Sequence, residues 1–263
     1  MTRHSAAPKQ NRPSFWHQTK QGPAMNIATS SSSLHPDILE SNAIHVILNY
    51  MRFDSCLVLD LDNTVFEPSN TIIGSDQWFG SLMTYACNLQ LNQQDAVAAV
   101  IAIYNEVHKH VEVKPVEQDI VKFINSLQQI GIPIIALTAR GPVLEEATNR
   151  QLKSIGIDLH GKIIFCDGKD KGDCFKTTLT NADYTPKHIV MVDDKEKHLI
   201  HVKKVVTEMG IEFHGIRYSH LDEKIKTVDM QRAHIELATL EHQFTDEAKE
   251  HIKNLAITSY KKI

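Results

Sequence analysis

The chain is expected to fold as an α/β protein, a Rossmann-like parallel sheet flanked by helices, with a small helical insert after its first motif-bearing strand. Three observations predict it. Apolar runs of strand length recur at Cys56–Asp60, Ile132–Thr138 and Ile189–Asp194, and each ends in polar residues. Uninterrupted apolar runs of this kind are what strands buried on both faces look like, and parallel sheets bury both faces. Segments with helical spacing alternate with these runs, as βα units require. Finally, about 50 residues with helical character of their own separate the first run from the next core helix.

Residues 1–33 are rich in Ser, Pro, Gln and Asn, so they bury too little apolar surface to offset ordering entropy and are expected to be disordered. Their basic residues Arg3, Lys9, Arg12 and Lys20 read as a solvated tail. From Asp37, the apolar positions Ile38, Ile44, Ile47 and Leu48 predict a helix leading into the first strand. In the insert, 70–112, Ser75 and Asn92 suit helix N-caps, and Asp76 and Asp95 fall in the first turns where the helix dipole favours acids. Val97, Val100, Ile101 and Tyr104 continue at helical spacing, which predicts a two-helix cap. Pro115 is expected to open a helix carrying Val116, Ile120, Phe123, Ile124 and Leu127 on one face, closed by Gly131. After the Thr138 strand come a helix from Pro142 to about Ser154, a short strand Lys162–Cys166, a helix Lys195–Met209 and a strand Ile211–Arg217. The core thus spans 34–69 and 113–221, and 222–263 reads as two charged helices broken near Phe244 and Thr245.

The strand ends carry the chemistry. Residues two apart on a strand project to the same side, so Asp60 and Asp62 bring two anions together where a divalent cation relieves their repulsion. Thr138 ends the second run, Asp193 and Asp194 the third, and Lys169, Lys171 and Lys176 lie between them. Ligands of open α/β sheets bind outside the carboxyl ends of the strands. Carboxylates for Mg²⁺, a hydroxyl and a lysine for phosphate oxygens, and one Asp free to attack together describe a phosphate site.

A strand ending Asp-x-Asp-x-Thr, a strand ending in Thr, a Lys, and a strand ending in an acidic pair follow in that order over residues 56–200. This pattern resembles the haloacid dehalogenase-like (HAD) superfamily, most of whose members are phosphohydrolases. Receiver domains use similar residues in another order, their acidic pair coming first. Within the superfamily, Gly74-Ser-Asp-Gln-Trp, Asp193-Asp-Lys and Gly215-Ile-Arg-Tyr are similar to a poorly characterised bacterial HAD-like family. The resemblance implies Asp60 as the nucleophile that forms an aspartyl-phosphate, and Asp62 as the acid that protonates the leaving group and then activates water. It also implies Mg²⁺ held by Asp60, the Asp62 carbonyl and Asp194, with Asp193 behind them, and Lys171 as the active lysine. Leu61, Thr138, Ala139 and Lys171 would contact the substrate. Thr64 would orient the loop by hydrogen bonding, while Arg140 reads as solvated.

A net charge of −4 and no long basic stripe argue against nucleic-acid binding. No apolar run reaches the roughly 18 residues that span a bilayer, nor is there a secretory h-region, so a non-membrane protein is expected, cytoplasmic or exported by a route that leaves no mark in the sequence. Cys56, Cys87, Cys166 and Cys174 show no pairing motif, and Cys56 and Cys166 are expected to be buried free thiols. Among the fifteen histidines, His108, His110, His198 and His201 lack a third ligand at suitable spacing and read as exposed helix residues. Trp78 and Phe79 fall on the first helix of the cap, where they either pack into the core or wall the site; as a wall, Trp78 is expected to influence substrate choice. The leading expectation is a Mg²⁺-dependent phosphomonoesterase acting on a small molecule or a protein phosphoresidue. A non-catalytic binding or effector protein on the same fold and a phosphotransferase are the alternatives.

Overall fold

In the computed structural model, residues 37–89, 92–182, 185–224 and 228–255 are described, and the expectation of a disordered tail over 1–33 lies outside them. In chain order the core begins with β1 (Ile38–Ser41), a 3-10 turn (Ile44–Asn49), β2 (Ser55–Leu59) and β3 (Phe66–Pro68). The insert contributes α1 (Asp76–Asn88) and α2 (Gln93–His108). There follow β4 (Val113–Pro115), α3 (Ile120–Gln129), β5 (Ile134–Thr138), α4 (Glu145–Ser154), β6 (Ile163–Phe165), α5 (Lys171–Thr180) and β7 (His188–Asp193). The described chain closes with α6 (Glu196–Glu208), β8 (Glu212–Tyr218), α7 (Met230–Leu240) and α8 (Asp246–Asn254).

Six strands form one sheet in the order β1-β8-β7-β2-β5-β6, and every pairing is parallel. The period-2 alternation of β2 sorts its side chains between two cores. Leu57, Leu59 and Leu61 join α3 and α4 on one face, with Ile120, Ile124, Leu127 and Leu152. Cys56 and Val58 join α5 and α6 on the other, with Phe175, Leu179, Leu199 and Val202. This two-sided burial is why β2 reads as an unbroken apolar run.

Two expectations about the core are corrected. Ile38–Ser41 is an edge strand in parallel register with β8, Ile38 opposite Gly215, and not part of a helix. Only the six residues from Ile44 wind into a helical turn, with Ile44 and Ile47 buried. Pro115 ends a strand instead of opening a helix. It lies opposite Phe66 in the antiparallel β3–β4 ribbon, and Val116 N–H continues the pairing onto the Val65 carbonyl at 3.2 Å. α3 therefore starts five residues later. The ribbon holds the two ends of the insert side by side.

α1 and α2 are capped as their sequence suggests: Ser75 accepts from Trp78 N–H and Asn92 from Gln94 N–H. They do not form a core by themselves. Trp78, Leu82, Val100, Ile103 and Val107 share one apolar cluster with Ala233 and Leu237 of α7 and with Phe244, Ala248 and Ile252 from the segment containing α8. The carboxylate of Glu106 on α2 accepts the Thr245 N–H that opens α8, at 3.1 Å.

Candidate active site

Asp60 leaves β2 with its N–H bound to the Val192 carbonyl of β7 at 2.9 Å, so the first acidic position is pinned beside the last. The chain then turns sharply. The Leu61 carbonyl accepts from the N–H groups of Thr64, Val65 and Phe66, and Asn63 sits at φ +62°. Asn tolerates this left-handed conformation better than most residues. Its amide faces the Asp194 carboxylate at 3.4 Å. The Thr64 hydroxyl is buried without a hydrogen-bond partner, so its main-chain N–H, and not the hydroxyl, serves the turn.

Lys171 enters from the first turn of α5. Its ammonium is 1% exposed and donates to Asp60 and Asp193 at 2.7 Å each. Asp170 caps that helix by accepting from the Gly172 and Asp173 N–H groups. Glycine at 172 is required by proximity: a Cβ there would lie 2.7 Å from the His201 carbonyl of α6. Of the other candidate lysines, Lys176 pairs with Glu208 at the surface and Lys169 is exposed.

Asp193, which ends β7, and Asp194, which follows it, differ sharply. Asp193 is fully buried and well satisfied, accepting from Lys171, from the Lys195 N–H at 2.9 Å and facing His198 Nδ1 at 3.0 Å. Asp194 Oδ1 is buried with no hydrogen-bond partner. Carboxylate oxygens of Asp60, Asp193 and Asp194 lie within 4.8 Å of one another. Burial pushes the Asp194 carboxyl up to about 8 against the pull of Lys195, with Asp60 and Asp193 adding to the rise. Burial likewise lifts Asp60 to about 6 against Lys171. Asp193 goes the other way: Lys171 and His198 outweigh its burial and hold it low. A buried, unpartnered carboxylate oxygen beside two more acids fits a hard cation such as Mg²⁺, which prefers carboxylate oxygen.

Arg140, expected to be solvated, is 4% exposed and is the hub of a buried network. Its guanidinium grips Asp62 through two bonds of 2.8 Å and also donates to Thr148 and Gln151 at 3.0 and 2.7 Å. It meets His108 Nδ1 at 3.1 Å and lies 4.9 Å from the centre of the Phe66 ring. Burial alone would raise the Asp62 carboxyl, but Arg140 holds it below the ordinary range. Burial and the adjacent guanidinium push His108 down to about 3, which leaves it neutral and able to accept from Arg140.

Thr138 is fully buried at its strand tip, its hydroxyl accepting the Arg140 N–H at 3.2 Å. Leu61 has its side chain in the core, so any contact with a ligand falls to its main chain, whereas Ala139 is exposed. Trp78 is fully buried in the core of the insert, stacked near Tyr104, and does not wall the site. Polar links join the insert to the site: His108 to Arg140, Asp76, at the start of α1, to Lys195, and the Gln151 amide, itself held by Arg140, to the His108 and Val111 carbonyls at 3.0 and 2.9 Å. His198 is partly buried against Asp193 instead of exposed. Reasoning from sequence missed Arg140, His108, Asn63 and Lys195. The one available signal for His108 was its place one helical turn after Tyr104, whose ring it meets at 4.2 Å.

A family described as a protein of unknown function, DUF2608, matches residues 40–163 and 160–250. A Chlamydia pneumoniae protein is 22% identical over 199 residues, 68% of this chain and 76% of its own length, and its name places it provisionally in the outer membrane. That relative overturns the cytoplasmic expectation; no helix among the described residues is long and apolar enough to cross a membrane. Among solved structures, the HAD domain of the Legionella pneumophila effector protein Lem4 (an inactive mutant) is 14% identical, with 77% of this chain and 98% of that one covered and a TM-score of 0.39. A HAD family enzyme from Bacteroides thetaiotaomicron is 14% identical, covering 64% and 98%, with a TM-score of 0.41. The class C acid phosphatase of Bacillus anthracis is 16% identical, covering 75% and 81%, with a TM-score of 0.34.

Proposed function

The chain belongs to the DUF2608 family, and from its own residues we propose that it is a Mg²⁺-dependent phosphomonoester hydrolase working through an aspartyl-phosphate on Asp60. The observation that carries this reading is the Lys171 ammonium, shared between Asp60 and Asp193 beside an Asp194 oxygen that has no partner. A lysine so placed can neutralise charge on a phosphate approaching Asp60, and the unpartnered oxygen offers a seat for the cation. Asp60, Asp194 and the Asp62 main-chain carbonyl would hold Mg²⁺, with Asp193 fixing Lys171 from behind. When bound, the cation supplies charge neutralisation for the phosphoryl group.

Asp60 attacks phosphorus, the phosphoryl–oxygen bond to the leaving group breaks, and Lys171 and Thr138 stabilise the phosphoryl oxygens. Water then attacks phosphorus, the bond from phosphorus to Asp60 breaks to release phosphate and restore the carboxylate, and Asp62 takes the proton of the water and passes it to solvent. Arg140 keeps Asp62 ionised at rest, which suits this second role. To protonate a leaving group Asp62 must first acquire a proton against that pull. Esters whose leaving groups need no proton, aryl phosphates above all, are therefore the favoured substrates. The intact set of Asp60, Asp62, Thr138, Lys171 and Asp194 supports catalysis over a purely binding role.

The test uses purified protein and p-nitrophenyl phosphate with Mg²⁺ or with EDTA. Turnover should require Mg²⁺, and Asp60→Asn should fall to background at an unchanged melting temperature, because the amide cannot serve as nucleophile. Wild-type turnover by Asp60→Asn, or full activity after exhaustive chelation, overturns the proposal.

A further inference from the structure

A second cluster of metal-ligating side chains lies at the other end of the sheet. His188 begins β7 and Asp193 ends it, so the two groups of residues are roughly 16 Å apart along the strand. β7 and β8 pair with His188 opposite Glu212 and Val190 opposite His214. Glu212 and His214, two apart on one strand, share a side with His188. Ligand atoms of these three residues lie within 4.8 Å of one another. We propose that His188, Glu212 and His214 form a Zn²⁺ site, with water completing the shell.

Two imidazoles and a carboxylate with one open position are a common zinc donor set. His188 is already organised as a ligand. It is fully buried, and its Nδ1 lies 2.7 Å from the Ser55 hydroxyl, which also accepts the Arg52 N–H at 2.8 Å. With Nδ1–H donated to Ser55, the lone pair of Nε2 points at His214 Nδ1, 2.9 Å away. A hydrogen-bonded second nitrogen fixes ring orientation and tautomer in metal-bound histidines.

Tetrahedral bonds of about 2.0–2.2 Å need ligand atoms roughly 3.3 Å apart. The two nitrogens must open slightly and Glu212 must close in, and its exposed side chain is free to do so. Arg52 pairs with one Glu212 oxygen at 2.8 Å, leaving the other for metal, and Asp54 at 3.2 Å offers Arg52 an alternative partner. The site would tie together the starts of β2, β7 and β8. It is independent of the proposed phosphatase chemistry.

The experiment strips the full chain with chelator, saturates it with Mg²⁺ to cover the carboxylate cluster, and titrates Zn²⁺ against a chromophoric chelator. The wild type should bind one equivalent, and Asp194→Asn should retain it. His214→Ala and Glu212→Ala should each weaken binding at least tenfold, and Ser55→Ala about 10- to 100-fold as loss of an orienting partner. Zn²⁺ should raise the melting temperature of the wild type but not of Glu212→Ala, whose exposed position keeps the test valid if the His214 variant fails to fold. Zinc binding that survives Glu212→Ala and His214→Ala unchanged, that vanishes with Asp194→Asn, or that is absent from the wild type overturns the proposal.

Discussion

Replacing Arg140 by alanine should cost the protein a large share of its stability. The guanidinium makes two bonds to Asp62 and one each to Thr148 and Gln151, and it contacts His108, all in a setting where Arg140 is 4% exposed. Alanine leaves a largely buried carboxylate without its counter-charge and three polar groups without their donor. Breaking one partner of a buried ion pair typically costs about 3–5 kcal/mol, a large share of the roughly 5–15 kcal/mol that holds a domain folded. For a chain of this size each kcal/mol moves the melting temperature by about 2–4 °C, so the fall should be roughly 6–20 °C. Differential scanning calorimetry at neutral pH measures it. Arg140→Lys keeps the charge but not the planar fork and should lie between the two. A melting temperature for Arg140→Ala within about 2 °C of wild type would refute the reasoning.

Two further outcomes follow from the same geometry. In EDTA, the melting temperature should rise as pH falls from about 8.5 to 7, because Asp194 titrates near 8 when folded and near 3.9 when unfolded. A carboxyl raised on folding contributes stability at low pH that is lost as pH climbs through its folded value. Bound Mg²⁺ should flatten this slope, and a flat profile in EDTA would count against the crowded carboxylates. Below about pH 6.5 the buried histidines His108 and His188 work in the opposite direction, since each must charge on unfolding. Trp78→Ala should cost about 3–5 kcal/mol by emptying the core of the insert, while leaving the ratios of kcat/KM among phosphate esters unchanged. Parallel melting and kinetic measurements check it, and a selective change in those ratios at an unchanged melting temperature would return Trp78 to the site.

β2, β5 and β7 were legible because burial on both faces turns them into apolar runs whose polar ends stand out. Asp60 and Asp193 could be picked from the ends of such runs and Lys171 from the resemblance, and the fold brings the three within hydrogen-bonding reach. β1 was misread because Ile38, Ile44 and Ile47 fit a helical template, yet Ile38 alone points inward from a four-residue edge strand. Arg140 was misread for a different reason. Its partners come from Asp62, His108 and Gln151, separated from it by 78, 32 and 11 residues, so no local pattern announces its burial. The same holds for the C-terminal helices, whose charged sequences conceal a narrow buried stripe of Ala233, Leu237, Ala248 and Ile252.

The cluster that α2 shares with α8 sets a clock on the newborn chain. Glu106 and its partner Thr245 are 139 residues apart, and four of the six strands of the main sheet are encoded between them. At about 5–20 residues per second, roughly 7–28 s pass on the ribosome before Phe244, Ala248 and Ile252 can cover Val100, Ile103 and Val107. Throughout that interval the inner faces of α1 and α2 are wet and adhesive. The sheet can be complete while its attached helices still wait for their last neighbours, which makes this interval the chain's most exposed moment to misassembly and to holding chaperones.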